Sequence, residues 1–487
     1  MEQVKEDNKQ VVWSKQDAFL LGGVTILGYT LMRLITTTKG YFLVTLFTVA
    51  LCLSVYFYAK SKKKILKKSH KIYMVYTLLL SLSFSIFENS VFYGTIHIVL
   101  ALSFAYWVLV IMDARKSDEL DEHIIGDFLS GIRRAMQVSE LKIQVDGKLD
   151  PKSGKLKQIF MALIIGIPLL LIVFALLLAS DDGFRMVVED LVNAIQLDLA
   201  TRIFTFIISI PVSIVLFTYI RNNYQHTGKQ YDLSKKKKVS SLVFTIILGM
   251  LILVYLLFFM GAFIGYMRFN AGSHSAYELS QFARNGFFPL LVVVLINLTV
   301  FISVKWLSEN TIREKLMLTV LGSETLVLVV LAFAKLYLYI NSYGYTLLRF
   351  NVAWFLVVLF LCISIFMVGV WMKVNYVRIS IATFACIFLS LQFINVGKYM
   401  INYNIGLYQD GTRSYLDMSV VYAVGADGVD SIVELYEKEE NIYTRSELVY
   451  FLSDLSQSTS HDNWSLNMQR IHASSTIDSV LDEISFY

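Results

Sequence analysis

Two apolar runs, residues 350–371 and 377–393, constrain the chain more than any other feature. At about 1.5 Å per residue, each is long enough as a helix to cross the hydrocarbon of a bilayer. A link with Lys373 and Asn375 separates them, and Arg378 lies just inside the second. A polar hinge at 341–346 leads into Arg349 ahead of the first.

The pattern repeats along the chain. Further apolar runs cover 18–35, 41–59, 72–87, 91–112, 159–179, 204–220, 242–260, 286–304 and 317–339. Only 17% of the residues are charged and 56% are hydrophobic, against about 25% charged in soluble proteins. The expected fold class is therefore all-α: a polytopic transmembrane helical bundle of about eleven helices with a small carboxyl-terminal helical domain. The opening segment, MEQVKEDNKQVVWSKQD, is too acidic and polar for a secretory signal, so the first apolar run is expected to stay as a membrane helix. Cys52, Cys362 and Cys386 all lie in apolar runs, which argues against a disulfide framework or a thiolate metal site.

Charge orients the expected bundle. Residues 60–71, KSKKKILKKSHK, hold seven lysines directly after the second run. Positive loops stay in the cytoplasm, so the amino terminus is expected inside and, after an odd number of crossings, the carboxyl terminus outside. The expected location is therefore a membrane whose cytoplasmic face carries the lysine loops. The lysine run reads as a topology anchor and a surface for anionic lipid; no interleaved aromatics support a nucleic-acid partner. The net charge of +5 fits the same reading.

The expected organisation is a cytoplasmic segment at 1–17, four crossings at 18–112, a linker at 113–157, the remaining crossings at 158–396 and an outer helical domain with a polar tail at 397–487. In the linker, DFLSGIRRAMQ reads as an amphipathic helix on the cytoplasmic leaflet, with Phe128, Ile132 and Met136 along one side. LKIQVDGKLDPKSGKLK reads as a linker or small hairpin turning at Asp146-Gly147. Residues 181–200 read as an acidic interfacial helix, and Pro168, Pro211 and Pro289 as possible helix breaks. In the outer domain Leu416, Val420, Val421, Ile432, Leu435, Leu448, Phe451 and Leu452 recur at helical spacing and are expected to bury one another. The domain could meet an envelope protein partner; membrane lipids are the other expected partners.

Ionisable groups inside crossings are costly and mark functional positions. Glu324 lies well inside its run; a hydrogen bond to Asn297 or a place on an ion path would explain it. Lys335 stands about 16 Å further along the same helix, too far to pair with it, and is expected to snorkel or to meet Glu88. Arg349, with Tyr343, Tyr345 and the intervening Gly344, suggests an anion or headgroup site, to which Arg284 and Lys335 could contribute. The plainer alternative is that these cations pin loops together. His97 is a lone histidine in an apolar helix, more simply a satisfied interior group than a ligand. No phosphate loop, nucleophile elbow or cofactor motif occurs, so no cofactor is expected.

Three blocks carry a family likeness: ARNGFF at 283–288, YGYTLLR at 343–349 and FINVGKYMINYNIGLY at 393–408, followed by GADGVDSIVEL. From residue 277 on, the chain resembles a bacterial family of polytopic membrane proteins known only as a domain of unknown function. The likeness implies fold and location and no reaction. Pro289, Gly397 and Lys335 depart from the glutamate, aspartate and arginine of that pattern, so chemistry needing those two carboxylates is not carried over.

The charge pattern predicts that cysteines introduced at Ser69 and Ser456, in a background without native cysteines, label from opposite faces of the membrane. Labelling from one face would overturn the orientation.

Overall fold

The computed structural model describes residues 14–36, 41–65, 67–116, 119–121, 123–136, 144–145, 148–149, 197–225, 240–270, 276–308, 311–460 and 467–485. The chain forms two compact units. The first takes residues 1–84, 97–118 and 123–230; the second takes 85–96, 119–122 and everything from 231. The fold is all-α apart from a two-residue ladder pairing β1 (Gln144–Val145) with β2 (Lys148–Leu149) antiparallel. That ladder is the small hairpin expected from the Asp-Gly turn.

In the first unit, α1 (Lys15–Thr36) packs against α2 (Tyr41–Ser61) and α6 (Leu197–Gln225), while α3 (Lys68–Ile86) and α4 (Tyr93–Ile111) straddle the unit boundary. Gly28 permits the close approach of α1 to α6: a side chain there would drive into the backbone and side chain of Ser213. At one end of the unit Asp17 accepts from Tyr58 Oη at 2.7 Å and pairs with Lys62 at 3.1 Å. Lys64 reaches Asp113 at 3.0 Å. Two of the lysines expected only as surface charge therefore tie helix ends together.

The amphipathic helix is α5 (Ile124–Met136), and its orientation reverses the usual rule. Asp127, Gly131 and Ala135 are buried, whereas Ile125, Leu129, Ile132 and Met136 are exposed. The polar and small face packs inward because α6 supplies partners for it. Thr218 donates to the Ala135 carbonyl at 2.7 Å and Asn222 to the Arg134 carbonyl at 2.8 Å. These side chains satisfy carbonyls of the last turn that have no partner within the helix. The apolar stripe is left facing outward.

The second unit is built around α9 (Ile312–Tyr343), started by a full capping box between Thr311 and Glu314. One stripe of α9, from Leu318 to Ile340, is buried against α7 (Ser241–Asn270), α8 (Ala276–Leu307) and α10 (Leu347–Trp371). Phe301 stacks on Phe366 with ring centroids 4.9 Å apart, and Gly322 admits Met367. α11 (Tyr376–Gln392) packs on α10, where Trp354, Phe384 and Phe388 form an aromatic group with Phe92.

Among the described residues seven helical segments are long and apolar enough to cross a membrane, or eight if α11 and α12 (Val396–Gln409) form one span bent by 69°. The expected third crossing is a helix, α3, diluted by Lys68, His70 and Lys71, and is not among them. The expected eighth is a shorter apolar segment, Pro289–Lys305. The expected fifth crossing, Pro168 and residues 181–196 lie outside the described residues. Pro211 and Pro289 do not break their helices, which run through both. The bend comes instead at 393–395, without proline, where Asn395 caps a new helix. Beyond the apolar runs at 242–260 and 286–304, α7 continues to Asn270 and α8 begins already at Ala276.

Past the bend, α12 is followed by α13 (Met418–Val424), a 3-10 turn (Gly425–Gly428), α14 (Val429–Lys438), α15 (Ile442–Ser460) and α16 (Met468–Ser485). All eight apolar residues expected to bury one another are buried. The tail expected to be polar contains α16, whose Ala473, Ile477 and Val480 pack inward. Sequence reading missed this helix because only every third or fourth residue is apolar between serines and charges.

Two glycines of α1 should respond with opposite signs. Gly28→Val should lower stability by about 1–3 kcal/mol through overpacking. Gly22→Ala, where nothing stands within 4 Å, should raise it by about 0.5–1 kcal/mol. Melting of the purified protein in detergent checks both.

Candidate functional site

The hinge between α9 and α10 is three residues, Gly344 to Thr346, and every constraint on it comes from named side chains. Gly344 has φ 71°, and a side chain there would collide with Asn404. Asn404, from α12, accepts from the Tyr345 N–H at 2.7 Å and donates to the Tyr345 carbonyl at 2.9 Å. One amide thus replaces both backbone bonds that a helix would have supplied. Thr346 caps α10 through the Arg349 N–H.

Arg349 completes the clamp. Its Nη1 donates to the carbonyls of Tyr343 at 3.1 Å and Gly344 at 2.6 Å, and its guanidinium lies 4.0 Å from the Tyr339 ring centroid. Arg413 adds a bond to the Tyr343 carbonyl at 2.9 Å. Cations at the carboxyl end of a helix meet its free carbonyls and its dipole. Arg349 is therefore a helix cap, and no carboxylate pairs with it among the described residues. Tyr345 packs among Phe350, Tyr399 and Tyr403 rather than walling an open site, and Tyr403 donates to Asn341 at 2.8 Å. Tyr343 meets Tyr339 ring to ring. Arg284 lies in α8, with its side chain outside the description, and Lys335 is half-buried on α9.

Glu88 belongs elsewhere. It sits in the turn after α3, 4% exposed, and accepts from the Ala426 N–H at 2.9 Å. Arg470, 2% exposed and from α16, brings Nε to 3.7 Å from its carboxylate. Asp427 lies alongside, accepting from the Glu88 N–H at 3.0 Å, and the Ser90 hydroxyl bonds the Val424 carbonyl at 2.7 Å. Asn395 donates to the Asp427 carbonyl at 2.9 Å, and Gly397 leaves room for the Asp427 side chain. Two buried carboxyl groups thus lie side by side, and one of them, Glu88, meets the Arg470 guanidinium. Burial, then the neighbouring Glu88, push Asp427 up to about 7, against the backbone N–H groups of the turn.

One helical turn on, Asp430 points outward to Lys398 at 2.9 Å and His472 at 2.8 Å. Burial alone would raise it, but the bonds from Lys398 and His472 prevail and hold it below the usual carboxylate range. The GADGVD stretch therefore sets one aspartate inside and one at the surface.

The third polar group lies within the span helices. Asn297 is fully buried, accepting from Tyr255 at 2.7 Å and donating to Thr325 at 2.9 Å. The expected bond from Glu324 to Asn297 is absent because Tyr255 and Thr325 hold the amide. Glu324 shares the buried face of α9, 7% exposed, and neither carboxylate oxygen has a hydrogen-bond partner among the described residues. His97 is separate from all of these, edge-on to Phe84 at 4.9 Å.

Asn404 thus clamps the hinge, and Asn395, from the start of the same helix, clamps the GADGVD turn. A family model described as a domain of unknown function (DUF4153) matches residues 46–435. The chain belongs to the DUF4153 family. The DUF4153 match opens in α2 and closes in α14, wider than the likeness seen from residue 277 on. It includes Glu88, Glu324, Arg349, Asn404 and Asp427, and leaves Arg470 outside. No curated protein and no solved structure matches the chain.

Sequence reading had no signal for Asp427, Arg470 or Asn404 as partners, since each pairs with a residue far away in the chain. Asp427 yields a test. Its raised value means that the folded protein holds a proton which the unfolded chain releases near pH 4. Stability from this site is therefore present below about pH 4 and is lost as pH rises towards 7, at up to about 1.4 kcal/mol per unit. Melting between pH 5.5 and 8 should fall more steeply in the wild type than in Asp427→Asn. Equal slopes would remove Asp427 as the cause.

Proposed function

We propose that this DUF4153 protein carries out transport or translocation across the bacterial cytoplasmic membrane, moving a proton or another small cation, with Glu324 as the group that meets it. The observation carrying this reading is Glu324 itself. A carboxyl group among span helices, with no hydrogen bond to either oxygen among the described residues, is costly to keep unless it has work to do. Asn297 and Thr325 beside it are satisfied, so polarity alone does not explain the group. In this reading the lysine-rich end faces the cytoplasm and the helices after residue 396 face outward.

A second reading, a non-catalytic envelope sensor or scaffold, is favoured by the Glu88, Asp427 and Arg470 group. Glu88 meets Arg470 and its N–H donates to Asp427, which joins the turn at 87–92 to the carboxyl-terminal helices, and burial pushes Asp427 up to about 7. Such a group could report on the outer medium or on an envelope protein bound to those helices. A membrane enzyme acting on a lipid-linked substrate is the weakest reading, because Arg349 is engaged by backbone carbonyls.

The test uses the full chain in vesicles loaded with a pH-sensitive dye and given a potassium diffusion potential. Wild-type vesicles should re-equilibrate faster than empty ones, and Glu324→Gln should slow this at least about tenfold, the scale on which loss of a relay carboxyl is felt, with melting unchanged. A wild-type rate equal to that of empty vesicles, or a variant rate equal to wild type, would overturn the transport reading.

A further inference from the structure

We propose that the groove between α1 and α2 is a binding site for an anionic phospholipid, with one acyl chain in the groove and the phosphate at its lysine-rich end. The groove has a volume of about 280 Å³. Its walls are Phe19 and Phe57, its floor Gly23 and Ser54, and its mouth Gln16 and Ser61. It exists because small residues face each other across the helix pair. The nearest atom to a side chain built at Gly23 would be Ser54 Oγ, 3.9 Å away. With no side chain at Gly23 and only a hydroxymethyl group at Ser54, a recess is left between the two helices.

The helical register places the two chemistries in sequence along the groove. Gln16, Phe19, Leu20 and Gly23 follow i, i+3, i+4, i+7 spacing and so share one face of α1. On α2, Ser54, Phe57 and Ser61 do the same, with Lys60 three residues from Phe57. Phe19 is 82% and Phe57 60% exposed, on helices long and apolar enough to cross a membrane. Rings so placed face lipid rather than protein.

The lysines divide by role. Lys62 is tied to Asp17 and to the Ser14 hydroxyl, and Lys64 to Asp113. Lys60 and Lys63 are exposed beside the groove mouth, as is Lys15 on α1. Among the described residues the polar end of the groove is thus positive and exposed, complementary to a phosphodiester and not to a zwitterion of zero net charge.

That complementarity selects the occupant. An acyl chain gains little by leaving bulk lipid for an apolar groove, because both surroundings are hydrocarbon. Discrimination must come from the head group, at about 1 kcal/mol for each lysine near the surface. Three lysines imply a preference of the order of tenfold or more for an anionic over a zwitterionic lipid.

The experiment is native mass spectrometry of the full chain in mild detergent, titrated with phosphatidylglycerol or phosphatidylcholine of identical acyl chains. Phosphatidylglycerol should be retained about tenfold better. Gly23→Leu, which fills the groove without meeting backbone, should reduce that retention severalfold at unchanged melting temperature. The triple variant Lys15→Gln, Lys60→Gln, Lys63→Gln should abolish the preference between the lipids even if Gly23→Leu proves unstable. Equal retention of the two lipids by the wild type overturns the proposal. So does a folded Gly23→Leu protein that retains phosphatidylglycerol as the wild type does, since that result reduces the lysines to a diffuse surface charge.

Discussion

A peptide group without a hydrogen-bond partner costs several kcal/mol in hydrocarbon, and the rest of this structure follows from that cost. Long helices satisfy it by themselves. At several places where the described chain leaves a helix, a side chain takes over the backbone's partners. Asn404 replaces both bonds of Tyr345, Arg349 and Arg413 collect the carbonyls at the end of α9, and Asn375 and Asn395 cap α11 and α12. Thr218 and Asn222 do the same for α5. Asparagine recurs because its amide carries donor and acceptor together and can imitate a peptide unit.

The same cost sorts the buried polar groups into kinds. Asn297 is satisfied by Tyr255 and Thr325 and behaves as a peg between α7, α8 and α9. Glu88, Asp427 and Arg470 are partly compensated: Glu88 meets Arg470 and the Ala426 N–H, while Asp427 accepts from the Glu88 N–H and burial holds its carboxyl above the usual carboxylate range. Glu324 has no hydrogen bond among the described residues. Packing needs explain the first kind fully and the second in part. They do not explain the third, which is why the functional reading rests there.

The surface is organised by lipid as much as by water. On α5 the small and polar residues are the ones buried, because α6 offers hydrogen bonds, and the aliphatic stripe faces out. On α1 and α2 exposed phenylalanines stand over a glycine floor. A pattern that would mark an unstable surface in water is the stable arrangement where the solvent is hydrocarbon.

The sequence by itself determined the class, most of the span helices and the buried faces at 416–452. Each depends on apolar residues near one another in the chain, and hydropathy is a local sum. Only the tertiary structure decided what the charges do. Arg349 caps its own hinge, Glu88 meets Ala426 and Arg470, and Asn404 holds Tyr345, from the far side of long stretches of chain. It also decided that Pro211 and Pro289 leave their helices whole while 393–395 bends without proline. A proline's missing N–H can be tolerated by a helix packed on its neighbours, and a charge takes whichever partner the fold brings within reach. Neither outcome is written in the neighbouring residues.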